Sequence, residues 1–220
     1  MRTRNGHLAL AAALLLGGCA QQGIYHDYWQ VLKQSVSASF HRQMVTPAQA
    51  AAIPYASLGY SVGDENERLL VLATAANGEE MWTSASHVVL TMRGSRVVRT
   101  VGLPHDLSGT MTGSSQDLPP LAAALKAPYR SVRLIDFPDL SAYGVQVLCT
   151  TTAKGPEQVT VLGTAIATQR VDEQCRSAQL DWSFTNSYWL DPQTGMAWRS
   201  RQFIHPKLDG LDIEIFRPPG

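Results

Sequence analysis

Asn186-Ser187-Tyr188-Trp189-Leu190-Asp191-Pro192-Gln193-Thr194-Gly195-Met196-Ala197-Trp198-Arg199-Ser200 is the stretch whose reading decides the fold. Pro192 supplies a fixed φ and Gly195 a positive one, so Asp191 to Gly195 is a turn between the strands Leu180 to Leu190 and Met196 to Ile204. The same punctuation recurs outward from this hairpin. Asn77-Gly78 separates Leu69 to Ala73 from Met81 to Thr83, and Arg93-Gly94-Ser95 separates Val88 to Met92 from Val97 to Val101. Lys154-Gly155-Pro156 divides Tyr143 to Thr152 from Gln158 to Thr168, and Leu211 to Phe216 is a last strand before Pro218-Pro219. Strands joined by short turns predict a mainly β protein, an antiparallel sheet that curls into a half-barrel and so hides its edges.

Helices are predicted in two places. Ile24, Tyr28, Val31, Leu32, Val36 and Phe40 form a helical stripe near the N-terminus. Asp117-Leu118-Pro119-Pro120 opens a short middle helix that runs through Leu125 and is closed by Pro128, after a polar loop from Thr112 to Gln116. Thr46-Pro47 has the form of an N-cap with proline at the first helical position, and Pro54 limits that helix to a couple of turns.

The N-terminus has a positive start at Arg2 and Arg4, an apolar run from Leu8 to Leu16 too short to span a bilayer, and then Gly17-Gly18-Cys19. This resembles a bacterial lipoprotein signal. The resemblance implies that residues 1–18 are removed, that the Cys19 sulfur receives a diacylglycerol and that its freed amino group is acylated. Several chains anchor stably where one holds only marginally, at about 0.8 kcal/mol per buried methylene. Ala20 replaces the Asp that, in enteric lipoproteins, retains the protein at the inner membrane. The expected address is therefore the periplasmic face of the outer membrane, with residues 19–23 as a polar leash and residues 24–220 as one β-rich domain.

Composition narrows the function. The chain is 45% hydrophobic and 16% charged, as a globular protein is. Without Arg2 and Arg4 it keeps 16 basic against 18 acidic side chains, net −2, which argues against a nucleic-acid surface. With Cys19 assigned to lipid, Cys149 and Cys175 remain as a pair in an oxidising compartment, either disulfide-bonded or separately buried. His7, His26, His41, His87, His105 and His205 have no ligand-like spacing to either cysteine, so no metal site is expected.

Several stretches together resemble the YjbF/GfcB family of outer-membrane lipoproteins associated with exopolysaccharide and group 4 capsule export. They are Pro54-Tyr55-Ala56-Ser57, Leu70-Val71-Leu72-Ala73 followed by Trp82, Arg93-Gly94-Ser95-Arg96-Val97-Val98-Arg99-Thr100 before Gly102-Leu103, and the hairpin quoted first, continued to Gln202. Ser95 is a departure, since Gly and Arg are expected to be adjacent. The resemblance implies a nonenzymatic accessory lipoprotein without a cofactor. Its partners would be an outer-membrane β-barrel and a soluble periplasmic protein, with the polysaccharide itself as a further candidate.

Trp189, Trp198, Arg199 and Gln202 are the candidate contact residues for a glycan or a partner. In an alternating strand Met196, Trp198, Ser200 and Gln202 share one face, and Ala197, Arg199, Arg201 and Phe203 the other. Indoles stack on sugars, but burial in a β core is their commoner fate. For hydrolysis, Asp136, Asp139, Asp172, Glu173 and Asp181 are the available carboxylates, and the sequence supplies no paired arrangement, nucleophile elbow or phosphate loop. Two alternatives accompany the accessory reading: a half-barrel carrier of an apolar or lipid ligand, and a glycan-binding or glycan-cleaving protein.

Overall fold

A computed structural model describes residues 42–112 and 118–220. The signal, Cys19, the leash and the predicted helix from Ile24 to Phe40 lie outside the described residues, as does most of the polar loop before Leu118. Twelve strands form one antiparallel sheet: β1 Ser57–Val62, β2 Arg68–Ala76, β3 Glu79–Thr83, β4 Val89–Arg93, β5 Arg96–Val101, β6 Gly109–Thr112, β7 Tyr129–Phe137, β8 Ala142–Val161, β9 Thr164–Ser177, β10 Trp182–Leu190, β11 Ala197–Gln202 and β12 Leu211–Arg217. Their order is β5-β4-β3-β2-β1-β12-β11-β10-β9-β8-β7-β6, so every neighbour but β1–β12 is consecutive in the chain. The margins, β5 and β6, come together without a ladder. The Thr100 N–H donates to the Leu107 carbonyl at 2.8 Å, and Arg99 Nε to the Ser108 carbonyl at 3.1 Å. The predicted half-barrel is therefore a nearly closed barrel.

The turns follow backbone chemistry. Asn77 and Gly78, and Gly94 and Ser95, have positive φ at both central positions, the demand of a two-residue hairpin whose twist matches its strands. Ser95 thus accommodates the left-handed conformation, and the departure from Gly-Arg adjacency leaves the turn intact. One expected turn is corrected. Lys154-Gly155-Pro156 lies within β8, where the register shifts between Ala153 and Gly155, and the chain reverses instead at Leu162-Gly163. Beyond the Tyr129↔Thr151 pair β8 has no β7 neighbour, so Pro156, which cannot donate to a ladder, sits on an edge beside a bulge.

The helical expectation is also corrected. The middle helix is a 3-10 helix, η1, at Leu121–Leu125, because prolines on both sides leave too few residues for α-helical cooperativity. The α-helix among the described residues is α1, Pro47–Ala51, with a capping box in which Gln49 N–H donates to Thr46 Oγ1 and Thr46 N–H to Gln49 Oε1.

Inside the barrel lie two apolar clusters. The larger includes Leu58, Tyr60, Trp82, Leu90, Phe137, Val147 and Ile213, and the smaller packs η1, through Leu121 and Ala124, on Val171, Tyr188, Leu190 and Ala197.

Candidate functional site

Between the two clusters sits a belt of buried polar side chains. Glu173 on β9 is fully buried and receives Arg96 Nε from β5 at 3.2 Å, Arg133 Nη2 from β7, and Asn186 Nδ2 from β10 at 3.2 Å. Arg96 also donates to Tyr129 Oη at 2.7 Å and to the Pro119 carbonyl at 3.0 Å, which ties the segment before η1 to the belt. Burial alone would raise the Glu173 pKa, but the two guanidinium groups outweigh it and hold the carboxyl below its ordinary value. Tyr188, buried and beside that carboxylate, is pushed well above an ordinary phenol. The arrangement stores no reactive proton. It is an ionised, hydrogen-bonded staple spanning the barrel.

Gln202 completes the staple by acting as a surrogate peptide. Its Oε1 accepts from the Val97 N–H at 2.9 Å and from Tyr188 Oη at 3.3 Å, while Nε2 donates to the Ser95 carbonyl at 2.9 Å and to Ser200 Oγ at 2.9 Å. The Ala197 N–H donates to Ser95 Oγ at 3.1 Å. The edge of β5 thus finds side-chain partners where a strand is missing. The segments that carry the family resemblance meet here: Ser95 and Arg96 from one, Asn186, Tyr188 and Gln202 from another.

Of the four candidate contact residues, Gln202 is corrected from surface to interior, since it is 2% exposed and each polar atom of its amide is engaged. Ser200 and Gln202 keep the shared face that alternation gives them, and that face points inward; a bulge alters only the start of the strand. Leu190 pairs with Ala197 and Trp189 with Arg199, so Trp198 is the extra residue and the simple alternation breaks there. Trp198 is half-buried and donates Nε1 to Asp191 Oδ2 at 3.2 Å. Trp189 and Arg199 share the outer face, where the Arg170 and Arg199 guanidinium carbons lie 5.5 and 5.6 Å from the Trp189 ring centroid. The four do not form one surface.

Cys149 and Cys175 are directly opposed on β8 and β9, joined by a disulfide in the structure, with Arg133 Nη2 at 3.4 and 3.7 Å from their sulfurs. At one end of the barrel three loops converge through a cluster that spacing in the chain does not reveal. His105 Nδ1 lies 2.9 Å from Asp139 Oδ2, His205 Nε2 lies 3.1 Å from Asp139 Oδ1, and the imidazoles stack at 4.8 Å. These atoms are close enough to hold a metal ion. The hydrogen bonding of His205 opposes that use. The Lys207 N–H donates to His205 Nδ1 at 3.0 Å, so the neutral ring carries its proton on Nε2, where a metal would bind. The cluster fits a hydrogen-bonded clasp better than a metal centre.

Of the remaining carboxylates Asp181 is exposed in the turn before β10, and the other two are committed. Arg170 holds Asp172 through Nε at 2.9 Å and Nη2 at 3.3 Å, and Asp136 accepts the Gly144 N–H at 2.7 Å.

Residues 29–216 match the family described as "Group 4 capsule polysaccharide lipoprotein gfcB, YjbF". The chain is 24% identical over 209 residues to the uncharacterized lipoprotein GfcB of Escherichia coli (strain K12), covering 94% of this chain and 95% of that one. The crystal structure of the hypothetical lipoprotein YmcC from Escherichia coli (K12) superposes with a TM-score of 0.69 at 23% identity, over 80% of this chain and 90% of that one. A family match over most of the sequence, on a fold already seen in YmcC, means that the chain belongs to the YjbF family of group 4 capsule polysaccharide lipoproteins.

Proposed function

We propose that the protein is a nonenzymatic, lipid-anchored accessory of exopolysaccharide or capsule secretion, held at the periplasmic face of the outer membrane by acyl chains on Cys19. It acts by docking on an outer-membrane export barrel and a soluble periplasmic partner. The observation that carries this reading is where the family-bearing residues lie. Arg96, Asn186 and Tyr188 bond to Glu173, and Gln202 to Tyr188, inside the barrel, leaving their chemistry to the fold, so function passes to the outer surface. The lipoprotein signal ending at Cys19 and the family description support the address and the pathway.

Neither alternative has comparable support. Trp82, Tyr60 and Phe137 fill the interior that a carried lipid would need. Guanidinium groups already lie over the Trp189 ring on which a sugar would stack. The test is photo-crosslinking in cells from the exposed positions Tyr55 and Tyr143, combined with deletion of the gene. Recovery of an export barrel and loss of secreted polymer are expected. No recovered barrel together with unchanged secretion overturns the proposal.

A further inference from the structure

The outer face of β6, β7 and β8 carries an apolar patch that no other element among the described residues covers. Met111 pairs with Leu134, and Val132 with Leu148, all with side chains on the outside of the sheet. Met111 is 58% exposed, Leu148 54% and Val132 36%. Arg130 lies two residues along β7 from Val132, and Arg176 stands opposite Leu148 on β9. Both arginines are exposed and neither enters an ion pair among the described residues. The other outward side chains around them, Gln146, Thr150 and Gln174, are uncharged, and Asp136, the next outward position on β7, is occupied by the Gly144 N–H.

We propose that this face rests on an anionic phospholipid surface, the apolar side chains entering the headgroup boundary and Arg130 and Arg176 pairing with lipid phosphates. The inference rests on the anchored reading above. Charge selects the occupant, because two unpaired cations beside an apolar patch whose one neighbouring outward acid, Asp136, is at its far end on β7 leave the face net positive and complementary to anionic headgroups. The tether supplies the need. The polar leash of residues 19–23 separates the acyl chains from the domain, so the chains keep its local concentration at the membrane high without selecting the face turned to it. A second, weak contact then sets which face points to the periplasm.

The test uses the full acylated chain in phosphatidylethanolamine vesicles with or without phosphatidylglycerol. Flotation reads the anchor, and nitroxides on V132C and, as a control, T74C on exposed β2 read the contact. The expected result is that the Val132 probe is shielded from a water-soluble nickel relaxant only on phosphatidylglycerol vesicles. Arg130→Glu and Arg176→Glu should each weaken that shielding roughly fivefold without affecting flotation. Equal relaxant access at both probes, with flotation intact, overturns the patch and spares the anchor. Shielding seen in cell envelopes but not on vesicles overturns it in favour of a protein occupant. If flotation fails, the anchor falls, and cosedimentation with phosphatidylglycerol vesicles at low salt still decides the patch: arginine-dependent binding supports it and no binding overturns it.

Discussion

Arg96 Nε meets Glu173 Oε1 at 3.2 Å although 77 residues separate them, and this contact joins a margin of the sheet to a strand on the far side of the barrel. Arg133 reaches the same carboxylate from near the other margin. Glu173 therefore closes circumferentially what the backbone ladder leaves open.

Glu173→Ala leaves two guanidinium groups buried without their anion, a change that costs about 3–5 kcal/mol. Urea unfolding should show that loss. Glu173→Gln keeps the shape and some hydrogen bonds, and should fall between the variant and the parent.

Gln202→Ala removes the partners of the buried Val97 N–H and the partly buried Ser95 carbonyl, and should cost about 1–3 kcal/mol. Gln202→Glu is the sharper comparison. A carboxylate still accepts from Val97 but faces the Ser95 oxygen with a second acceptor, so it should rescue little of the loss in the same denaturation assay.

Peptide mapping without reductant should recover Cys149 and Cys175 in one linked species. Replacing both with Ala should cost about 3.5 kcal/mol, the value for a closed loop of this length. Two free thiols in the mapped protein would contradict the pairing.

Acid should loosen the loop clasp in two separate ranges. Burial holds the His205 pKa below its ordinary 6.5 despite the opposing Asp139 hydrogen bond, so the unfolded chain binds the proton first. Stability then falls as pH drops from about 6.5 toward the folded value. The hydrogen bond to His105 depresses the Asp139 pKa below 3.8, and the stability it contributes is present above 3.8 and lost as pH falls through the folded value. Urea midpoints measured against pH should lose the upper step in His205→Gln and the lower one in Asp139→Asn.

Much of the sheet was legible because its turns carry their own chemistry. Asn77-Gly78 and Gly94-Ser95 hold residues suited to positive φ, and the strands on either side follow from them. Leu162 does not announce itself: a leucine at φ 48° has no local reason to be there, and it is held by the long β8–β9 pairing. Gly155-Pro156 gave the opposite error, since the residues that make a turn also make a bulge on an unpaired edge. The Trp198 bulge changes only the start of β11, where Ala197 turns inward against the expected alternation while Ser200 and Gln202 keep their shared face.

The polar belt was half legible. The resemblance picked out Ser95, Arg96, Asn186, Tyr188 and Gln202, but their meeting depends on curvature of the whole sheet, which no local pattern encodes. Arg133, Glu173 and the His105, Asp139 and His205 clasp have no common spacing, and only the convergence of distant loops and strands reveals them.

The seam between β5 and β6 has a mechanical consequence. A barrel sealed by hydrogen-bonded strands all the way round has a fixed girth, and changing it means tearing a ladder. Here the wall is fastened at one line by a single backbone hydrogen bond, the Thr100 hydroxyl and the Arg99 guanidinium, so a change of girth there leaves the other eleven joins whole.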